Sequence, residues 1–229
     1  MKTPQFTGRM KMADIIASNH NLILLLPRLG IPLGFGDKRV DEICRDNQAD
    51  TDFVLMILNV CAFPDYLPDS EVVADTNMEG VVPFLKESHR YYHDKLPHIG
   101  DHLHHIADQM DARYGQILKK FFDDYQKEIM EHFRYEEEVI FPYLQRLRQG
   151  DCASRQKLSR LDDSHEGIED TLADLTQIVY KYLPGNVMPE ESIDMVFDIL
   201  QLSADFEKHY RIEEKIVMPY ISWLERGRK

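Results

Sequence analysis

His132-Phe133-Arg134-Tyr135-Glu136-Glu137-Glu138-Val139-Ile140-Phe141-Pro142-Tyr143 recurs as His209-Tyr210-Arg211-Ile212-Glu213-Glu214-Lys215-Ile216-Val217-Met218-Pro219-Tyr220, at an offset of 77 residues. Upstream, Ser88-His89 with Leu96 and Ile99 recurs as Ser164-His165 with Leu172 and Leu175, at an offset of 76. Two similar halves follow from this, each holding one lone His and one HxxxE pair. HxxxE sets an imidazole and a carboxylate four residues apart, on one helix face and about one turn from each other. Both can then reach one small cluster. Imidazole plus carboxylate suits Fe, Mn or Zn rather than soft Cu(I). A carboxylate can also bridge two cations, which a neutral imidazole does not do.

Working outward, the hydrophobic pattern predicts four long helices, roughly 82–111, 114–148, 154–183 and 189–225. They are broken at Arg113-Tyr114-Gly115, Gln149-Gly150-Asp151 and Leu183-Pro184-Gly185-Asn186. Long helices with short connections imply antiparallel neighbours, hence an all-α fold built on an up-down four-helix bundle. Pro97 should kink the first helix rather than end it, because the periodicity resumes through Leu103, Ala107 and Met110.

Residues equidistant from the turn of an antiparallel hairpin lie side by side. The midpoint of His89 and His132 falls between Met110 and Asp111, that of His132 and His165 between Arg148 and Gln149, and that of His165 and His209 at Val187. The first lies next to a predicted break, the second at one and the third just after one, so the four His are expected at one level. They also share helix faces with apolar residues at 3.6 residues per turn. His132 lines up with Leu118, Phe122, Tyr125 and Ile129, His165 with Leu161, Ile168 and Leu172, His209 with Ile199, Leu202 and Phe206, and His89 with Leu96, Leu103 and Ala107. A buried Glu without a compensating charge is costly, so a metal is the simpler account of the set. The expected ligands are His89, His132, Glu136, His165, His209 and Glu213.

Other candidates have blander readings. His93, one turn from His89, is a potential extra ligand. His98, His102, His104 and His105 fall mostly away from the His89 face and read as a solvated or interdomain cluster. Glu169, one turn after His165, is placed to coordinate or to hydrogen-bond an imidazole. Of the run Glu136-Glu137-Glu138, geometry assigns one ligand, and the other two acids are expected to face solvent or neighbouring helices. Tyr125, Tyr143 and Tyr220 read as core.

Residues 1–63 read as a small helical N-terminal domain, 64–80 as a linker rich in Pro and acids, and 81–229 as the di-metal bundle. In the first of these, Met12–Leu26 is apolar-periodic up to Pro27, a turn-rich stretch spans 30–36, a short helix starts near Arg39, and Asp50 or Thr51 caps a helix through Phe53–Ala62. The net charge of −13 argues against a nucleic-acid partner, since phosphate binding needs a clustered basic face. No apolar run is long enough to span a bilayer, and polar residues occupy the place of a signal peptide's apolar region, so a cytoplasmic protein with no membrane partner is expected. Cys44, Cys61 and Cys152 form no CxxC and read as buried or idle thiols.

HxxxEE followed by an apolar pair and Phe/Met-Pro, twice, with lone His upstream, resembles the hemerythrin-like HHE cation-binding domain. Ser88-His89-Arg90-Tyr91-Tyr92-His93-Asp94-Lys95-Leu96-Pro97 looks like the first-helix motif of the iron–sulfur cluster repair di-iron proteins. Carried over, that resemblance implies two Fe ions with an oxo or hydroxo bridge, held by His89, His132, His165 and His209 and bridged by Glu136 and Glu213. Mn or Zn would accept the same donors. Hemerythrin itself uses a fifth His one turn after the third-helix His, where this chain has Glu169. The N-terminal residues Met12-Ala13-Asp14-Ile15-Ile16, Leu29-Gly30-Ile31 and Arg39-Val40-Asp41-Glu42-Ile43-Cys44 also look like that family's leading domain. Its Cys-Cys-Gly-Gly turn is replaced by Gly34-Phe35-Gly36-Asp37. The resemblance implies a role in the response to nitric oxide or oxidative stress, through repair of, or iron supply to, iron–sulfur proteins. The alternatives are reversible binding or sensing of O2 or NO without turnover, and a bundle stapled by a redox-inert metal such as zinc. Enzymatic turnover is left unassigned, and a homodimer is left open.

Overall fold

The computed structural model describes residues 6–151, 168, 171, 174–179, 181 and 189–226. The fold is all-α: among the described residues no strand forms, and a single antiparallel bridge joins Lys11 and Arg39. Contacts between Cα atoms divide the chain into two compact units, one of residues 1–88, 143–155 and 208–229, the other of 89–142 and 156–207.

The first unit holds α1 (Met12–Ser18), a 3-10 turn (His20–Leu24), α2 (Leu25–Arg28), α3 (Val40–Asp46) and α4 (Thr51–Ala62). The helix expected over Met12–Leu26 is therefore split. Asn19 is extended, with φ −150° and ψ 91°, and the chain restarts in a tighter turn. Pro27 lies within α2, whose first turn tolerates a missing N–H. The bend buries Met12, Ile15, Leu22, Leu25 and Leu26 together with Ile31, Val40 and Ile43 in one small core. At the end of α3 the chain turns through Gln48, at φ 57°, and Ala49 N–H reaches back to the Cys44 carbonyl at 2.8 Å. A non-glycine residue there is unusual, because the left-handed region crowds a Cβ. Asp50 caps α4 as expected, its carboxylate accepting from Phe53 N–H at 2.8 Å.

Residues 64–80 contain α5 (Ser70–Asp75) and a 3-10 turn (Met78–Gly80), with Tyr66, Val73 and Met78 buried. The C-terminal helix packs on α5. A stretch that reads as linker from its Pro and acidic content thus carries its own apolar anchors, three residues that composition alone underweights.

The long helices fall close to the predicted spans. α6 covers Val81–Ala107 and runs through Pro97 without ending. α7 covers Ala112–Tyr135, followed by a π-helical turn at Glu136–Ile140 and then α8 (Phe141–Arg148). α9 covers Pro189–Ile212, followed by a second π-helical turn at Glu213–Val217 and then α10 (Met218–Glu225). Within the predicted third helix, Ile168, Thr171, residues 174–179 and Lys181 are described, and all are helical.

The second unit has one core shared by Tyr92, Leu96, Ile99 and Leu103 of α6, Leu118, Phe122, Tyr125 and Ile129 of α7, Ile168, Leu175 and Val179, and Met195, Ile199, Leu202 and Phe206 of α9. These fall on the stripes predicted from 3.6-residue periodicity for α6, α7 and α9; Leu161 and Leu172 of the His165 stripe lie outside the described residues. The α6–α7 turn is tight. Asp111 caps α7 by accepting from Arg113 N–H at 3.0 Å, and a Cβ on Gly115 would lie 2.2 Å from the Ala107 carbonyl oxygen. Only glycine lets the two helices close at this point.

Candidate metal centre

Both HxxxE motifs end in the same unusual element. Met218 N–H reaches the Glu213 carbonyl and Phe141 N–H reaches the Glu136 carbonyl, both five residues back, which defines a π turn. The sequence supplies a reason. Pro142 and Pro219 have no N–H, and a proline ring inside a helix clashes with the carbonyl four residues earlier. Widening the preceding turn by one residue relieves that clash. The Phe/Met-Pro of the repeat is therefore the signal for a feature that spacing by 3.6 does not predict. Such turns recur at functional sites.

The π turn begins at the glutamate of each motif. Glu136 is 1% exposed and Glu213 3% exposed. His132 Nε2 lies 3.3 Å from Glu136 Oε1, and His209 Nε2 lies 3.1 Å from Glu213 Oε1. From α6, buried His89 places Nε2 2.9 Å from the other oxygen of Glu136, Oε2. Glu136 thus offers one oxygen to each of two imidazoles. The His89 ring stacks on Phe133 at 4.2 Å between centroids and on Phe141 at 5.5 Å.

One donor atom from each of His89, Glu136, His209 and Glu213 lies within 4.8 Å of the others, and all four side chains are buried. His132 adjoins this group through Glu136. His165 and Glu169 lie outside the described residues. Of the six residues expected from the sequence, the structure brings five into this neighbourhood and does not speak to the sixth.

The remaining histidines separate from it. The His93 side chain is 77% exposed beside Asp94 and is not part of the cluster. His98 and His105 are exposed, and half-buried His104 faces Asp123 with Nε2 at 3.0 Å from Oδ1. Glu138 faces solvent and Glu137 faces the neighbouring helix, within the two settings expected of these acids; there it meets His89 Nδ1 at 2.8 Å. Spacing by 100° per residue puts Glu137 off the ligand face, and the π turn is what brings it within reach.

The donor chemistry fits a cation. Burying two carboxylates is expensive unless positive charge meets them, and imidazole nitrogens with carboxylate oxygens are donors that hold first-row divalent metals. Thiolate donors are not part of the set. Cys44 and Cys61 are buried cysteines of the first unit. Desolvation pushes the Cys44 thiol above its ordinary range, outweighing the hydrogen bond with Thr51.

Helices carrying convergent, buried imidazoles and carboxylates define a metal-binding all-α protein. Residues 81–221, more than half of the chain, match the model of the hemerythrin HHE cation binding domain, and the chain belongs to that family. Comparison with curated proteins and with solved structures returns no match. Among the described residues no helix is long and apolar enough to cross a membrane.

Proposed function

We propose that this chain is a non-haem di-iron protein in which His89, His132, His165 and His209 are terminal ligands and Glu136 and Glu213 bridge the metals. The observation that carries the reading is the convergence of His89, Glu136, His209 and Glu213 within 4.8 Å. Glu136 supports a bridging role, because its two oxygens face two different imidazoles, His89 and His132. Glu213 is the repeat-related carboxylate of the second motif.

Iron bound by such a set supplies redox chemistry and coordination positions open to a diatomic molecule. The chain's own residues hold the donors in place and keep bulk water away: Phe133 and Phe141 cover the His89 ring, and all the described donors are buried. The physiological role we assign is a cytoplasmic response to nitric oxide or oxidative stress, by repairing iron–sulfur clusters or supplying iron to them. Resemblance of the Ser88–Pro97 motif to the repair proteins supports it. Complementation of a repair-deficient strain tests it. Rescue by the wild type but not by His209→Ala is expected, and failure of a protein that binds iron normally overturns it.

A second reading has its own observation. The turn that carries vicinal cysteines in the repair proteins is Gly34-Phe35-Gly36-Asp37 here, and the Cys44 thiol is buried and neutral. Without an accessible thiol pair, the same centre serves reversible binding or sensing of O2 or NO. A visible band that appears when oxygen meets the reduced protein and disappears under vacuum supports this reading. An irreversible change on first exposure opposes it.

A further inference from the structure

His89 is held by carboxylates at both ring nitrogens, and the two come from adjacent residues. Glu136 Oε2 lies 2.9 Å from Nε2 on the buried side, and Glu137 Oε1 lies 2.8 Å from Nδ1. The two acids differ in setting: Glu136 is 1% exposed and the Glu137 side chain is 45% exposed. We infer that Glu137 is a positioning residue for the metal centre: it accepts the Nδ1–H of His89 and so fixes the tautomer and ring angle that present the Nε2 lone pair to a cation beside Glu136. This rests on the metal reading given above.

Three features carry the inference. A neutral imidazole has one N–H and one lone-pair nitrogen, so an acceptor that holds the proton on Nδ1 leaves the Nε2 lone pair for the metal. Phe133 and Phe141 stack on the ring and limit its tilt, which leaves the Nδ1 edge directed at Glu137. And Glu137 reaches Nδ1 because of the local backbone. In an α-helix adjacent side chains diverge by about 100°. In the Glu136–Ile140 turn the hydrogen bond closes over five residues, so the angular step is smaller and neighbouring glutamates reach the inner and outer nitrogens of one imidazole. The same turn that sets Glu136 in the site thus builds the support for His89.

A carboxylate on the far nitrogen also raises the basicity of the ligating one, and removing such partners commonly costs about 10–100-fold in metal affinity. The test is Fe(II) affinity of the full chain, measured anaerobically against a chromophoric chelator, for wild type, Glu137→Ala, Glu137→Gln and Glu138→Ala. Glu137→Ala is expected to weaken binding about 10–100-fold. Glu137→Gln, whose amide oxygen still accepts the Nδ1–H, should recover part of the loss, and Glu138→Ala, exposed and without this contact, should match the wild type. A second readout is independent of affinity. In the Zn(II)-loaded, 15N-labelled protein, His89 should show a protonated Nδ1 in the wild type and in Glu137→Gln, and should lose that single state in Glu137→Ala. Glu137→Ala binding within twofold of the wild type, with an unchanged His89 tautomer, overturns the positioning role while leaving the metal centre standing. A wild type that takes up no metal overturns both.

Discussion

Gly115 is where the α6–α7 hairpin is most sensitive, and Gly115→Ala is the perturbation whose size the structure sets. The added Cβ would stand 2.2 Å from the Ala107 carbonyl oxygen, 3.2 Å from its carbon and 3.8 Å from its Cα. The obstacle is backbone, so no side-chain rotation removes it. Overpacking of this kind costs about 1–3 kcal/mol, and a backbone clash belongs at the upper end. Against it stands the gain from replacing glycine by alanine inside a helix, roughly 0.5–1 kcal/mol. With the cost taken as about 2–3 kcal/mol, the difference is a net loss of about 1–2.5 kcal/mol. For a chain of this length each kcal/mol lowers Tm by about 2–4 °C, so a fall of about 2–10 °C is expected by circular dichroism melting. Gly100→Ala is the control. Its Cβ would meet the ring of Phe122 at 2.9 Å, a side chain that can shift, and its loss should be smaller. The effect should reach the metal site too, because this turn pairs the helix of His89 with that of His132. A Gly115→Ala protein that melts at or above the wild-type temperature would refute the reasoning.

Three further outcomes follow from particular contacts. Pro142→Ala restores an N–H that can bond the Glu138 carbonyl, which favours closing the π turn into α-helix and swings the residues on either side by about 100° relative to each other; Fe(II) affinity should fall at least about tenfold with helicity retained, and unchanged affinity by chelator competition would show that the turn does not set the site. Asn59 is fully buried, accepts from Phe6 N–H at 2.8 Å and donates to the Phe6 carbonyl at 3.2 Å, so Asn59→Ala should cost about 1–3 kcal/mol and expose the N-terminal segment to limited proteolysis. Burial pushes the Cys44 thiol upward, so at neutral pH its thiolate is scarce in the native protein; iodoacetamide should modify Cys44 and Cys61 slowly until denaturant is added, as read by peptide mass spectrometry.

The long helices and the apolar stripes were legible because periodicity reports burial directly, and Ile199, Leu202 and Phe206 beside His209 are all buried as expected. The midpoint of His89 and His132 is legible for a related reason, since an antiparallel hairpin converts sequence distance from a turn into height, and both imidazoles meet Glu136; the other two midpoints involve His165, which lies outside the described residues. What periodicity misses is any departure from 3.6 residues per turn. The π turns at Glu136 and Glu213 are such departures, and a regular helix gives no reason to single out Glu137 rather than Glu138 as the acid that meets His89. Pro142 and Pro219 marked both turns, but as punctuation rather than as a cause. Short elements were harder for another reason. The break at Asn19 and the helix Ser70–Asp75 each depend on a few tertiary contacts, Leu22 and Leu25 in one case and Val73 in the other, which no local pattern encodes.

In the proposed di-iron centre, buried imidazoles and carboxylates from both repeats hold two irons. Anaerobic Fe(II) titration of the metal-free chain, followed by metal analysis of the desalted protein, addresses it directly. The account predicts about two irons per chain, with a double variant His209→Ala and Glu213→Ala unable to retain the full complement. Protein that retains zinc and no iron, or that retains no metal at all, would contradict it.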